Sequence, residues 1–291
     1  MSVDESALWP LRASTSGAGR RHPWRAPGLL LPLAFVLFLV AAMFAPEWFT
    51  ALAPDAIDTD AILQPPSPGH WFGTDELGRD LFCRVIYGTS ESLTIGVGAM
   101  AIACLGGISL GTAASLAPSI VRKLLVRLID ILLAFPELLL ALLVIAVLGR
   151  GPINTLFAVG LSHIAGYARL VRSQVLLVKL SGYVEHAVTL GEHRWTIIIR
   201  HIVPNTIRPL MILATIGVGT SVLAASALSF LGLGVVPPEA EWGALLADGR
   251  NFIEIAPWLS LLPATVVAIS VISITLLGRR LQVLLARGDV P

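Results

Sequence analysis

Three groups of residues in this 291-residue chain have types and spacings that could do chemistry. The first is the stretch YVEHAVTLGEHRWTIIIRHIVPN at 183–205, with Glu185, Glu192, Arg194, Arg200 and the histidines His186, His193 and His201. No close pair of histidines or cysteines with ligand spacing occurs in it, so no metal centre is expected there. The second is the adjacent pair Ser162 and His163. A serine hydrolase needs a nucleophile, a base and an oxyanion site that converge. Neighbours on a helix point about 100° apart, and no Gly-x-Ser-x-Gly elbow surrounds Ser162. The pair is read as polar groups hydrogen-bonding between helices. The third group is Asp130 and Glu137, seven residues apart, which share a face if one helix carries both. Intramembrane carboxylates mark ion or proton sites in secondary transporters. Here Asp130 is expected to pair structurally near Arg127, and the deeper Glu137 either to be satisfied by a neighbouring helix or to line a translocation path. ATP hydrolysis would need a glycine-rich loop ending in Gly-Lys-Ser/Thr. The only lysines, Lys123 and Lys179, follow Arg122 and Val178, so this chain is not an ATPase.

These groups must be positioned by a very apolar chain: 55% of its residues are hydrophobic, 13% are charged, and the mean hydropathy is +0.81. Charged residues make up about 25% of ordinary soluble domains, so a membrane protein is expected. The net charge of +1 gives no reason to expect a nucleic-acid partner. A membrane-crossing helix needs roughly 20 mostly apolar residues. Runs of that kind fall at 28–45, 92–117, 126–149, 152–171, 208–233 and 257–278. The first has Arg20, Arg21 and Arg25 before it and Ala41, Ala42 and Ala45 near its end, as a signal peptide would. Five further spans behind it favour an uncleaved helix.

The expected class is therefore an all-α membrane protein with six transmembrane helices. A cytoplasmic tail at 1–27 precedes a first helix and an extracytoplasmic loop with an amphipathic helix at 28–90. A core of five transmembrane helices follows at 91–280, then a cytoplasmic tail at 281–291. Loops rich in Lys and Arg stay cytoplasmic. With the N-terminus inside, all basic residues but Arg79, Arg84, Arg150 and Arg250 fall on inner segments, and the outer loops collect Asp55, Asp75, Glu76, Asp80, Glu241 and Asp248. Both termini and the 183–205 stretch are thus expected inside. Cys83 and Cys104 fall on an outer loop and a spanning helix, which gives no basis for a disulfide. Gly107 and Gly111 form a Gly-x-x-x-Gly pair suited to close helix approach, within the bundle or against a second subunit. On the outer side, Thr74 is expected to cap a helix that opens with Asp75 and Glu76 and closes at Gly88, its apolar face formed by Leu77, Leu81, Val85 and Ile86.

The 183–205 stretch reads as a bent helical hairpin. Tyr183 to Leu190 suit a short helix, Gly191 permits a turn, and Glu192 to His201 resume until Pro204 ends the helix. Trp195, Ile198, Ile199 and Ile202, three or four apart, form an apolar stripe, with Glu192, Arg194 and Arg200 away from it. One face can pack on the bundle and the other can meet a soluble partner.

Glu185, Ala187, Gly191, Ile202 and Pro204 resemble the EAA loop of ABC importer permeases. HWFGTDELGRDLFCRVIYGT at 70–89, DILLAFP at 130–136, YARLVR at 167–172, LSFLGLGVVPP at 228–238 and WGALLADGR at 242–250 are similar to the peptide and nickel subfamily, specifically its C-type permease subunit. The resemblance implies a type I importer permease fold with a cytoplasmic coupling helix, no catalytic residues, and no cofactor in this chain. It also implies a second permease subunit, two nucleotide-binding subunits that hold ATP and Mg2+, an extracytoplasmic substrate-binding protein and a lipid bilayer as partners. By this resemblance the coupling set is Glu185, His186, Ala187, Gly191, Ile202 and Pro204. His186 departs from the family's usual alanine and is read as facing solvent, with contact to the ATPase partner as the alternative. Glu137 departs too, following Pro136 where a small or neutral residue is expected, and the tail LLGRRLQVLLARGD is more basic than usual. A peptide importer is the expected function, with nickel or another small solute as the alternative cargo and an ion-coupled secondary transporter as the rival class.

Overall fold

The computed structural model describes residues 27–288. The tail expected at 1–27 lies outside the described residues apart from Pro27, and residues 289–291 lie outside them as well. Helix α1 (Pro27–Phe44) leads into an excursion with two short 3-10 turns, Pro46–Trp48 and Thr59–Ala61. Then come α2 (Leu81–Leu116), α3 (Ser119–Ala134), α4 (Glu137–Leu148), α5 (Pro152–Lys179), α6 (Gly182–Thr189) and α7 (Arg194–Ile197). A π-helical turn (Ile198–Ile202) joins α7 to α8 (Val203–Phe230), and α9 (Trp242–Gly249) and α10 (Trp258–Gly288) complete the chain. α10 thus continues past the boundary expected at 280.

Three long helices are apolar enough to cross a membrane alone: α2, the Pro209–Phe230 part of α8, and the Trp258–Leu284 part of α10. The pair α3 and α4 makes a fourth crossing if counted as one bent span. α1 is apolar but short, and α5 is long but carries His163, Arg169, Arg172 and Lys179. Six helical units therefore occupy the six expected positions, with fewer than six meeting the length and composition of independent spans.

The expected single helix at 126–149 is broken, its halves bent by 97°. Pro136 supplies no N–H, and its ring drives the preceding residue out of the helical region; Phe135 accordingly sits at φ −86°, ψ 138°. Asp130 and Glu137 therefore lie on different helices rather than on one face.

The separate outer helix expected between Thr74 and Gly88 is not formed either. α2 starts at Leu81, capped by Asp80, whose carboxylate accepts from Cys83 N at 2.7 Å. It then runs straight into the span, about 54 Å in all at 1.5 Å per residue. Asp75 instead closes a turn, accepting from Leu77 N and Arg79 N and pairing with Arg79 Nε at 2.7 Å, while Gly78 holds φ +76°. Thr74 is buried and bonds to Gln64 and Ala61 across the loop. Leu81, Val85 and Ile86 are buried as an apolar face should be, whereas Leu77 is exposed.

α2 and α5 pack along most of their length. Gly107 and Gly111 make this possible: a Cβ on either would collide with Tyr167 or with the Ala168 carbonyl and Val171 of α5. The glycine pair therefore serves the internal bundle. α8 packs on α2 and α10, and α1 lies against α10 and α2. At the end of the bundle opposite the α2–α3 turn, α9 is pinned by a buried polar knot. Glu241 caps it, accepting from Gly243 N and Ala244 N at 2.9 Å each, and Ser92 of α2 bonds to Glu241 and to Trp242 N. Trp242 is fully buried and donates its indole N–H to the Val85 carbonyl at 3.0 Å. Cys83 and Cys104 are separate buried thiols.

Candidate functional site

The 183–205 stretch folds as a hairpin of α6 and α7 at the end of the molecule that also holds the α2–α3 turn. α6 ends in a glycine-closed cap. Gly191 N donates to Val188 O at 3.0 Å, Glu192 N donates to Ala187 O at 3.1 Å, and Gly191 takes φ +76°. This double bond pattern satisfies the last carbonyls of the helix and needs a left-handed residue between them. No atom lies within 4 Å of where a Cβ on Gly191 would stand, so backbone conformation alone demands the glycine.

The expected stripe of Trp195, Ile198, Ile199 and Ile202 is corrected. Ile197 and Ile202 are buried and Ile198 is partly buried, while Trp195 and Ile199 are 65% and 67% exposed. The cause is the π-turn at Ile198–Ile202, which places residues five apart on one side where an α-helix would align three and four apart. Pro204 does not end the helix. It sits within the continuous helical path from α7 into α8, and the π-turn just before it absorbs the clash a proline makes one turn upstream.

The family-type residues divide into two sets. Ala187 and Ile202 are buried with Val171 and Val175 of α5, Val184, Ile197 and Leu210 of α8. Glu185, His186, Gly191 and Pro204 are exposed. The His186 ring bonds through Nδ1 to the Gly182 carbonyl, within its own helix. Tyr183, Val188, Leu190, Trp195 and Ile199 of the same hairpin are exposed as well. A groove of about 700 Å³ runs between the two arms, lined by Lys179, Glu185, Val188, Glu192, Arg194 and Ile198 among others. Arg194, which the sequence alone did not single out for this, donates through Nη2 to Leu116 O at 2.8 Å, closing the last turn of α2. His193 caps α7, and His201 Nε2 pairs with Glu192 at 3.1 Å across the hairpin. No metal-binding cluster of His, Cys, Asp or Glu exists among the described residues.

The remaining chemistry-bearing residues meet on α3, α4 and α5. Asp130 pairs with Arg169 of α5 at 2.9 Å, not with Arg127. Glu137 opens α4 and faces His163 of α5, Oε2 to Nε2, at 3.7 Å. Ser162 and His163 do not hydrogen-bond between helices as expected: both turn to the carbonyl of Val159 in their own helix, at 2.8 Å each. Their side chains consequently come within 3.3 Å of each other, with no oxyanion site to complete a hydrolase.

The sequence pattern of the family described as "Binding-protein-dependent transport system inner membrane component" matches residues 104–288. The chain is 36% identical over 289 residues to the probable D,D-dipeptide transport system permease protein of Escherichia coli strain K12, covering 98% of this chain and 96% of that one. It is 38% identical over 255 residues to a dipeptide transport system permease protein of Alkalihalophilus pseudofirmus, covering 88% and 83%. A glutathione transport system permease protein of Escherichia coli O6:K15:H31 shares 41% identity over 268 residues, covering 90% and 87%. Among solved structures, a methionine ABC transporter in an inward-facing conformation superposes with a TM-score of 0.57 at 16% identity, over 69% of this chain and 96% of that one. An amino acid ABC transporter superposes with a TM-score of 0.54 at 18% identity, over 70% and 93%. Full-length similarity, the shared helical fold and the hairpin together show that the chain belongs to the binding-protein-dependent transport system inner membrane components, the permease subunits of ABC importers.

Proposed function

We propose that this chain is a permease subunit of an ATP-driven peptide importer, coupled to its ATPase through the 183–205 hairpin. The carrying observation is the division of that hairpin into a buried and an exposed face. Val184, Ala187, Ile197 and Ile202 are sunk into the bundle, while Glu185, Val188, Leu190, Trp195 and Ile199 are offered outward. Exposed apolar side chains together with a carboxylate on one hairpin suit a groove on a soluble subunit. In this reading ATP and Mg2+ are bound by two nucleotide-binding subunits, a second permease subunit completes the path, and an extracytoplasmic protein delivers substrate. Both termini and the hairpin face the cytoplasm, in line with the Lys and Arg residues near that end.

The mechanism follows from what the hairpin touches. Its buried face is packed on α5 and α8, and Arg194 ties it to the end of α2. Closure of the ATPase subunits would displace the hairpin, and three long helices would move with it as rigid bodies, opening the path alternately to either side. The relatives' names support peptides as cargo, since they describe dipeptide and glutathione transport.

The test is reconstitution of all subunits in proteoliposomes, with trialanine, glutathione and nickel offered separately. ATP-dependent uptake of a peptide is expected, and the purified chain alone should neither hydrolyse nor specifically bind ATP. Uptake driven by a proton gradient without ATP, or uptake of nickel but of no peptide, would overturn the reading.

A further inference from the structure

Glu137 opens α4 at the break in the bent span, its side chain 61% exposed. A carboxylate so placed among apolar spanning helices is not accommodated against lipid, so this face meets water or another chain. Behind it stands His163, its side chain 8% exposed. Nδ1 lies 2.8 Å from the Val159 carbonyl, which can only accept, so Nδ1 carries the ring proton. In the neutral ring Nε2 is then a bare acceptor, and it faces Glu137 Oε2 at 3.7 Å. Two acceptors confront each other at a separation too long for a hydrogen bond. A cation with several N–H groups satisfies both at once, and a primary ammonium has three.

The polar character continues along α5. Arg169 lies six residues beyond His163, about 9 Å along the axis, and is neutralised by Asp130, both side chains being more than half exposed. Gly166, between them along α5, borders open space: an added Cβ there meets no atom within 4 Å. Space is therefore open beside Gly166, one turn from His163, and in the neutral form of that ring the acceptors left facing each other are those of Glu137 and His163.

We propose that Glu137 and His163 form a cation-receiving subsite on the translocation face, which takes the ammonium group of a peptide's free amino terminus. The assignment of the cargo rests on the importer reading above. His163 fixes the carboxylate's surroundings, and Glu137 supplies the charge.

The test reads the local charge at Gly166. In the assembled complex, with Cys83→Ala and Cys104→Ala as background, Gly166→Cys is labelled by a cationic and by an anionic methanethiosulfonate of similar size. Normalised to the two reagents' rates with a free thiol in solution, the cationic reagent is expected to react about tenfold faster. Glu137→Gln should bring the ratio close to one, and Glu137→Asp should retain the preference. No reaction with either reagent, or a ratio indifferent to Glu137, overturns the subsite. A second arm compares uptake of trialanine with N-acetyl-trialanine. Glu137→Gln should reduce the preference for the free amine severalfold, the binding protein being the same in both complexes; an unchanged preference overturns the proposal. Failure of the wild-type complex to import either peptide would overturn the peptide reading instead, and the labelling ratio would still decide whether a cation site exists.

Discussion

At the scale of single residues, Gly191 and Asp248 show how local environment decides what a side chain can do. Gly191 holds φ +76° with open space around it, so the penalty of substitution is conformational. Gly191→Val should cost about 1–3 kcal/mol locally, while Gly191→Asn should be much milder because asparagine tolerates the left-handed region. The expected outcome for valine is ATP use uncoupled from uptake, or loss of ATPase subunits on copurification, with membrane insertion intact; normal uptake, coupling and assembly would remove Gly191 from the transmission joint. Asp248 lies in α9, outside the spanning helices. Burial pushes its carboxyl above the ordinary range, Glu76 and Asp75 add repulsion, and Arg84 and Arg79 draw it partly back. The fold therefore favours the protonated form, a contribution fully present below the ordinary aspartate value of about 4 and lost as pH rises through the elevated folded value. Asp248→Asn should raise the melting temperature of the purified protein at neutral pH, with the gain vanishing near pH 4. A gain that grows on acidification would contradict this sign.

At the scale of elements, the hairpin's existence, its polar character and its glycine joint were legible in the residues at 183–205, because glycine and proline punctuate strongly. Which isoleucines face inward was not. A period of three to four residues selected Ile199, yet the π-turn turns it outward and buries Ile197. That turn answers to Pro204 and to packing on α5 and α8, which no local pattern encodes. Ile197→Ala should therefore destabilise the protein by about 2–5 kcal/mol, and Ile199→Ala should change stability by no more than about 0.5 kcal/mol. Thermal unfolding of the two variants in detergent separates them; equal losses would mean that both face the core. Ile199→Ala should instead weaken copurification of the ATPase subunits. Helix α9 offers a similar contrast. Its WGALLADGR sequence carried part of the family resemblance, but only the fold brings Ser92 to Glu241 across 149 residues of chain. Glu241→Ala removes the two cap bonds and should lower stability by about 0.5–2 kcal/mol, and Glu241→Gln should recover most of it. A neutral Glu241→Ala in the same melting assay would show the cap to be dispensable.

At the scale of the whole molecule, the two ends of the bundle differ in charge. The end with the hairpin and the α2–α3 turn holds Arg122, Lys123, Lys179, Arg194 and Arg200; the other holds Asp75, Asp80, Glu241 and Asp248. A cysteine at position 193, on a background without Cys83 and Cys104, should be labelled by a membrane-impermeant reagent only after cells are permeabilised. Ready labelling in intact cells would invert the orientation.

Composition and hydropathy alone determined that the chain is helical and membrane-embedded, because burying backbone in hydrocarbon admits few other solutions. The motifs along it carried the permease resemblance, since turn and capping residues act locally and leave local marks. The tertiary structure decided the rest. Asp130 and Glu137 were seven residues apart in sequence, but Phe135 and Pro136 broke the helix, pairing Asp130 with Arg169 and setting Glu137 opposite His163 on α5. Gly107 and Gly111 could have faced a second subunit, and α5 claimed them. In each case the deciding contact joins residues distant along the chain, and sequence periodicity reports only on which neighbours share a face within one unbroken element.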